Sequence, residues 1–189
     1  MTTTGRTDLA EEPAVPAPAT PALTIKQRMD REHLLACAHE AGHAVLMAVY
    51  NLPITEAVAK AVHPVFGAPR AYGYVTEDCG PGEDMIPAEV IDEHIVTYLA
   101  GAEAQARWMH LAEEWDLAAA RCEAISSHAG HDYQVARRYA RSSDHSFGQL
   151  QARTAALVAR HWGAITRVAA ELHHRKRLTG PQILHLIGR

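Results

Sequence analysis

Two histidines and a glutamate at fixed spacing, His39-Glu40-Ala41-Gly42-His43, are the residues of this chain best suited to chemistry. They read HExxH, the pattern of zinc peptidases. Residues four apart on a helix share a face, so both imidazoles can reach one metal ion. Glu40 follows the first histidine, so its carboxylate can approach a water on that metal from the side. Zinc lowers the pKa of a bound water to about 7, and a nearby carboxylate can take its proton as it attacks a carbonyl. The chain carries 13 histidines, so the motif gains weight from its context: His and Glu on an apolar helix are costly to bury unless paired or bound to metal.

The element that must carry these groups is a long helix. Leu34 to Ala38 precede the motif and Ala44 to Val49 follow it. Thr24 suits the N-cap, and Asn51-Leu52-Pro53 ends the helix near Tyr50. Gly42 costs about 1 kcal/mol relative to Ala in a helix interior, which points to close packing or access at that position. Cys37, two residues before His39, points away from the histidine face and reads as a small core residue. Two strand-like runs follow, Glu56 to Val62 and Ala71 to Val75, joined by a turn over His63 to Arg70. A loop spans Cys79 to Asp84. Helix returns from Pro87 through Arg107. Trp108 to Ile125 reads as an irregular insertion. Helices follow from Asp132 and over about Gly148 to Leu172, and Thr179-Gly180-Pro181 opens a short last helix.

The expected fold is mainly α with a small β-sheet (α+β), in one domain over residues 23–189. Residues 1–22, rich in Thr, Ala and Pro, read as a flexible tail. A net charge of −4 excludes a global basic field for nucleic acid. The segment His173-His174-Arg175-Lys176-Arg177 is too short to change that and suits a helix C-terminus. No run reaches the roughly 18 apolar residues of a membrane span, and no signal peptide or P-loop is visible. The three cysteines, Cys37, Cys79 and Cys122, form no CxxC pair. A reducing cytoplasm is the expected setting.

A catalytic zinc takes three protein ligands and an open position. Chemistry alone offers Glu103, His94, Asp116, His128, His131 and Asp132 as the third, and spacing does not choose among them. A wider resemblance does. Ala38 to Val45 looks like the peptidase domain of the FtsH-type ATP-dependent membrane zinc proteases. Ala71-Tyr72-Gly73-Tyr74-Val75 resembles that family's "ALGY" strand. Leu99-Ala100-Gly101-Ala102-Glu103-Ala104-Gln105 resembles its "LGGRAAEE" helix. Gly130-His131-Asp132-Tyr133-Gln134 resembles its "ASNDLEKAT" segment, and Leu178-Thr179-Gly180-Pro181 its closing "TLDGEE" element. The matches fall in order over roughly residues 30 to 187. Three positions depart: Ala102 stands in place of Arg, Gln105 near the first Glu, and His131 in place of Asn.

The resemblance implies a zincin-like helical peptidase domain standing alone, without the family's ATPase and membrane anchor. It implies zinc held by His39, His43 and Asp132, with Glu40 as general base. The substrate would be protein or peptide, with a separate ATPase or adaptor as a conceivable partner. The strand from Tyr72 to Val75 would lie beside the cleft and pair with an extended peptide. Two alternatives stay open: a non-catalytic, zinc-stabilised interaction module, and a zinc amidase acting on a small amide.

Overall fold

The structure is a computed structural model and describes residues 23–62, 68–76 and 86–189. The expected tail, the loop at Cys79 and most of the turn expected over His63 to Arg70 lie outside the described residues. The first helix, α1, runs Ile25–Val49. Thr24 caps it by a reciprocal box with Gln27: the Thr24 hydroxyl accepts the Gln27 N–H, and the Gln27 side chain accepts the Thr24 N–H. Every residue of α1 from Leu35 to Ala48 is buried. A helix covered on all sides needs no polar stripe, and its alanines let neighbours approach closely. At Gly42 an added Cβ would lie 2.6 Å from the Ala100 carbonyl oxygen and 2.7 Å from the Ala104 Cβ. Gly42 is therefore where the third helical segment of the core, α2 (Ile91–Ala112), crosses α1.

Three strands form one antiparallel sheet in the order β2-β1-β3: β1 Glu56–Val62, β2 Arg70–Thr76 and β3 Arg177–Thr179. Val58 pairs with Tyr74 and Ala59 with Gly73, which leaves β2 at an edge. One face of β2, carrying Gly73, lies on α1; Tyr72 and Tyr74 alternate to the other face and are exposed. The sheet is small and the chain mainly helical, as the pattern of periods indicated. β3 was not anticipated. Three residues are too few for a period-2 signal, and the segment read as a turn.

Trp108 to Ile125 is not an irregular insertion. Trp108 and Met109 continue α2 to Ala112, and α3 (Leu117–Ser127) follows a short link. Leu117-Ala118-Ala119-Ala120-Arg121 is a run of strong helix formers with little amphipathy, so propensity rather than periodicity was the usable signal. Small residues also explain the packing: Ala120 and Ala124 sit with Ala102, Ala106 and Met109 of α2 in a second, smaller core. The chain continues as α4 (Gly130–Tyr139), α5 (Phe147–Arg160), α6 (Trp162–Arg175) and α7 (Gly180–Leu186). The helical stretch expected over about 148–172 is formed by two helices, divided at His161. The main core gathers Leu46, Ile95, Leu150, Ile165, Leu172, Leu178 and Ile183 around α1. Burying each of these side chains contributes about 1.5–3 kcal/mol. α1 is thus a fixed central rod, and the groups on it are held by packing from both sides. Among the described residues, no helix is long and apolar enough to cross a membrane.

Candidate metal centre

His39 and His43 project from the middle of α1 toward α2 and the start of α4. Both are nearly fully buried, at 4 % and 9 % exposure. The His43 Nδ1–H donates to the Thr97 carbonyl at 2.8 Å, which leaves a lone pair on Nε2. Asp132 arrives in the first turn of α4, where negative charge is favoured. Its Oδ2 lies 3.2 Å from His39 Nε2 and 3.5 Å from His43 Nε2, and the two Nε2 atoms are 3.0 Å apart.

These three groups fit a metal ion. Donors about 2.0–2.1 Å from a tetrahedral zinc lie roughly 3.3 Å from one another, and the three observed edges straddle that value. Gly101 on α2 supplies the space. A Cβ there would sit 2.6 Å from His39 Nε2 and closer still to His43 Nε2. Charge points the same way. Burial works against charge on His43, but the hydrogen bond and charge of Asp132, with Glu40 and the Thr97 carbonyl, outweigh it and push the imidazole up to about 9. Burial also opposes ionisation of Asp132, yet His39 and His43 hold its carboxyl well below the usual carboxylate range. The cluster can therefore hold positive charge, as a proton shared between imidazole and carboxylate or as a metal ion. Of the described Asp, Glu, His and Cys residues, His39, His43 and Asp132 form the group able to share one metal ion.

Glu40 does not join that group. It is 5 % exposed and packs on the backbone of β2, where a Cβ at Gly73 would lie 2.7 Å from the Glu40 carboxyl carbon. Burial raises its carboxyl pKa, partly offset by the two histidines, and Asp132 adds to the rise. Glu40, His43 and Asp132 all line one cleft of about 560 Å³, together with Gly73 to Thr76 of β2 and Met47, Leu52, Thr97 and Tyr98.

The other candidates fall elsewhere. Glu103 takes a bidentate ion pair from Arg121, with both contacts at 2.7 Å. Asp116 caps α3 by accepting the Ala119 N–H. His94 and His131 line the cleft without entering the three-residue group. The His94 Nδ1–H donates to the Val90 carbonyl. His128 lies behind His39; burial, the charge of His39 and that of Arg31 lower it to about 4, so it is neutral near pH 7. Cys37 is a core residue as expected, its thiol pushed up to about 12 chiefly by burial.

Sequence reasoning missed Thr97, Gly73 and the steric role of Gly101. A signal existed on α2: Thr97, Gly101 and Gln105 recur every four residues and form one small or polar stripe on a mostly apolar helix. No protein-family model matches this chain, and no curated protein matches it. Fold and site together define an α+β domain with a possible His/His/Asp metal centre opening into a cleft.

Proposed function

We propose that this domain is a zinc-dependent metallopeptidase, an endopeptidase of the HExxH zincin-like kind, akin to the peptidase domain of the FtsH-type proteases. The observation that carries this reading is the convergence of His39, His43 and Asp132 at zinc-like spacing, with His43, Asp132 and the Glu40 carboxylate lining one open cleft. Zinc, if held by His39, His43 and Asp132, would supply Lewis acidity here and would lower the pKa of a bound water to about 7. Glu40 is placed to take a proton from the attacking water and return it to the leaving amine. Burial makes the Glu40 carboxylate a stronger base than an exposed one. Gly73 lets that carboxylate lie flat against β2. β2 is an edge strand lining the same cleft, so its free edge can pair with an extended peptide and lay a backbone carbonyl across the site. Hydrolysis by these residues uses no nucleotide. A separate ATPase would serve only to unfold substrates, and a cytoplasmic setting suits such a pairing.

The test pairs zinc analysis with cleavage of an unfolded protein, using wild type and Glu40→Gln. The expected result is zinc in both chains and hydrolysis reduced by about 10²–10⁴ in the variant. Equal hydrolysis by the two removes Glu40 from the mechanism. Zinc with no cleavage by wild type supports the interaction-module reading instead.

A further inference from the structure

The Nδ1 of His43 has its partner, the Thr97 carbonyl; the Nδ1 of His39 does not have one among the described residues. Its Nδ1 is buried with no hydrogen-bond partner among the described residues. A histidine that offers Nε2 to a metal carries its proton on Nδ1, so this atom is a donor in need of an acceptor. A matching acceptor is offered by the facing helix. The Gln105 side chain is fully buried, and its Oε1 also lacks a partner among the described residues.

The register of the helix crossing sets Gln105 on the face of α2 that meets the histidines of α1. α1 and α2 run in opposite directions across their contact: His43 meets Thr97 and Gly101, Gly42 meets Ala100 and Ala104, and His39 meets Gly101. One turn beyond Gly101 on the same face comes Gln105, level with the side of His39 that faces away from His43.

The orientation of the Gln105 amide is fixed from behind. A Glu32 carboxylate oxygen lies 3.5 Å from His128 Nε2 and favours the proton there, which leaves His128 Nδ1 an acceptor. Gln105 Nε2 donates to that Nδ1 at 3.0 Å and faces the Ser127 hydroxyl oxygen at 3.4 Å. The Ser127 hydroxyl has two acceptors within reach, His128 Nδ1 at 2.9 Å and the Glu123 carbonyl at 2.7 Å. With Nε2 turned toward His128, Gln105 Oε1 is the acceptor on the other side of the amide.

We infer that Gln105 is the positioning residue of His39, its amide oxygen accepting the His39 Nδ1–H through one water or after a small side-chain adjustment, with His128 and Glu32 orienting the amide from behind. This rests on the metal-centre reading above. Gln105 touches neither metal nor substrate; it fixes which His39 nitrogen faces the ion. The corresponding prop for His43 is backbone, whereas this one is a side chain and can be removed.

Zinc affinity is measured by competition with a chromophoric chelator at pH 7.5 on wild type, Gln105→Leu and Gln105→Glu. Histidine ¹⁵N spectra of the zinc-loaded chains report the His39 tautomer. Leu keeps the bulk and loses the acceptor, so affinity falls about 10–100-fold. Glu keeps an acceptor oxygen, so affinity stays within about threefold and the His39 Nδ1–H resonance moves downfield, as charge-assisted hydrogen bonds strengthen. Gln105→Leu binding zinc as tightly as wild type overturns the inference and leaves the metal centre standing. Should the Leu variant fail to fold, an unmoved His39 resonance in Gln105→Glu overturns it as well. A wild type that binds no zinc overturns the metal centre, and this inference with it.

Discussion

Glu40 and Gly73 meet because a glycine sits where β2 touches α1, and Gly101 performs the same service for the two histidines. At this scale the spacing of His39, Glu40 and His43 was readable directly, since i and i+4 share a helix face. Asp132 was not. It lies 93 residues from His39, and only the family resemblance selected it from six candidates. Gly73 was unreadable for a related reason, since a glycine's role here depends on which element crosses it; Thr97 and Gly101 left only their four-residue recurrence on α2 as a signal. Gly101→Ala isolates that role. Alanine favours the helix by about 1 kcal/mol over glycine, yet its methyl group intrudes on both Nε2 atoms. The expected outcome is a helical, folded chain whose zinc affinity, read by chelator competition, is lower by about 100-fold or more. Unchanged affinity would show that the cradle at Gly101 is not where the ion sits.

Elements were legible where their periods were long or their caps explicit. Thr24 marked the start of α1, and α2 carried a clear apolar stripe. α3 was hidden by its alanines and β3 by its length. β3 matters because of the joint it makes. At the corner between α6 and β3, the Lys176 carbonyl accepts the Ala59 N–H, and the Lys176 ammonium donates to the His173 carbonyl and to His33 Nδ1 at 3.1 Å. His33, on α1, donates from Nε2 to the Ala59 carbonyl at 3.1 Å. One ring nitrogen faces a carbonyl and the other an ammonium, so His33 fits only as neutral imidazole. Burial lowers its pKa; the Ala59 carbonyl and Asp30 oppose this, and Lys176 and His173 reinforce it. Unfolded, His33 takes up a proton near its ordinary value of about 6.5. Its contribution to stability is therefore complete above about pH 6.5 and is lost as the pH falls through the lower folded value. Gln at this position keeps one donor and one acceptor but does not titrate. Denaturant melts of metal-free protein at pH 7.5 and 5.5 should show a smaller acid loss in His33→Gln than in wild type. Equal losses would remove His33 as a source of acid sensitivity.

At the scale of the molecule, the α+β class followed from the mixture of helical and alternating periods, and one rod-like helix surrounded by the rest explains the shape of the site. α1 is buried from Leu35 to Ala48, so the histidines do not move unless the core does. β2 and α4 bring Gly73 and Asp132 to α1 from separate directions. A metal at this junction ties α1 to α4 and binds only the folded chain. Zinc free at 100 times its Kd should stabilise the domain by about 2.7 kcal/mol, raising the melting temperature by roughly 5–10 °C. Chelator should reverse the shift in thermal melts. A melting temperature indifferent to zinc would mean that no metal bridges the two helices.

The claim on which the rest depends is that His39, His43 and Asp132 hold one ion together. Elemental mass spectrometry of the wild type and of Asp132→Ala, both purified without added zinc, measures this most directly. The account predicts about one zinc per wild-type chain and a clear loss in the variant. A wild type that stays free of zinc, even after zinc is offered and the excess removed, would contradict it.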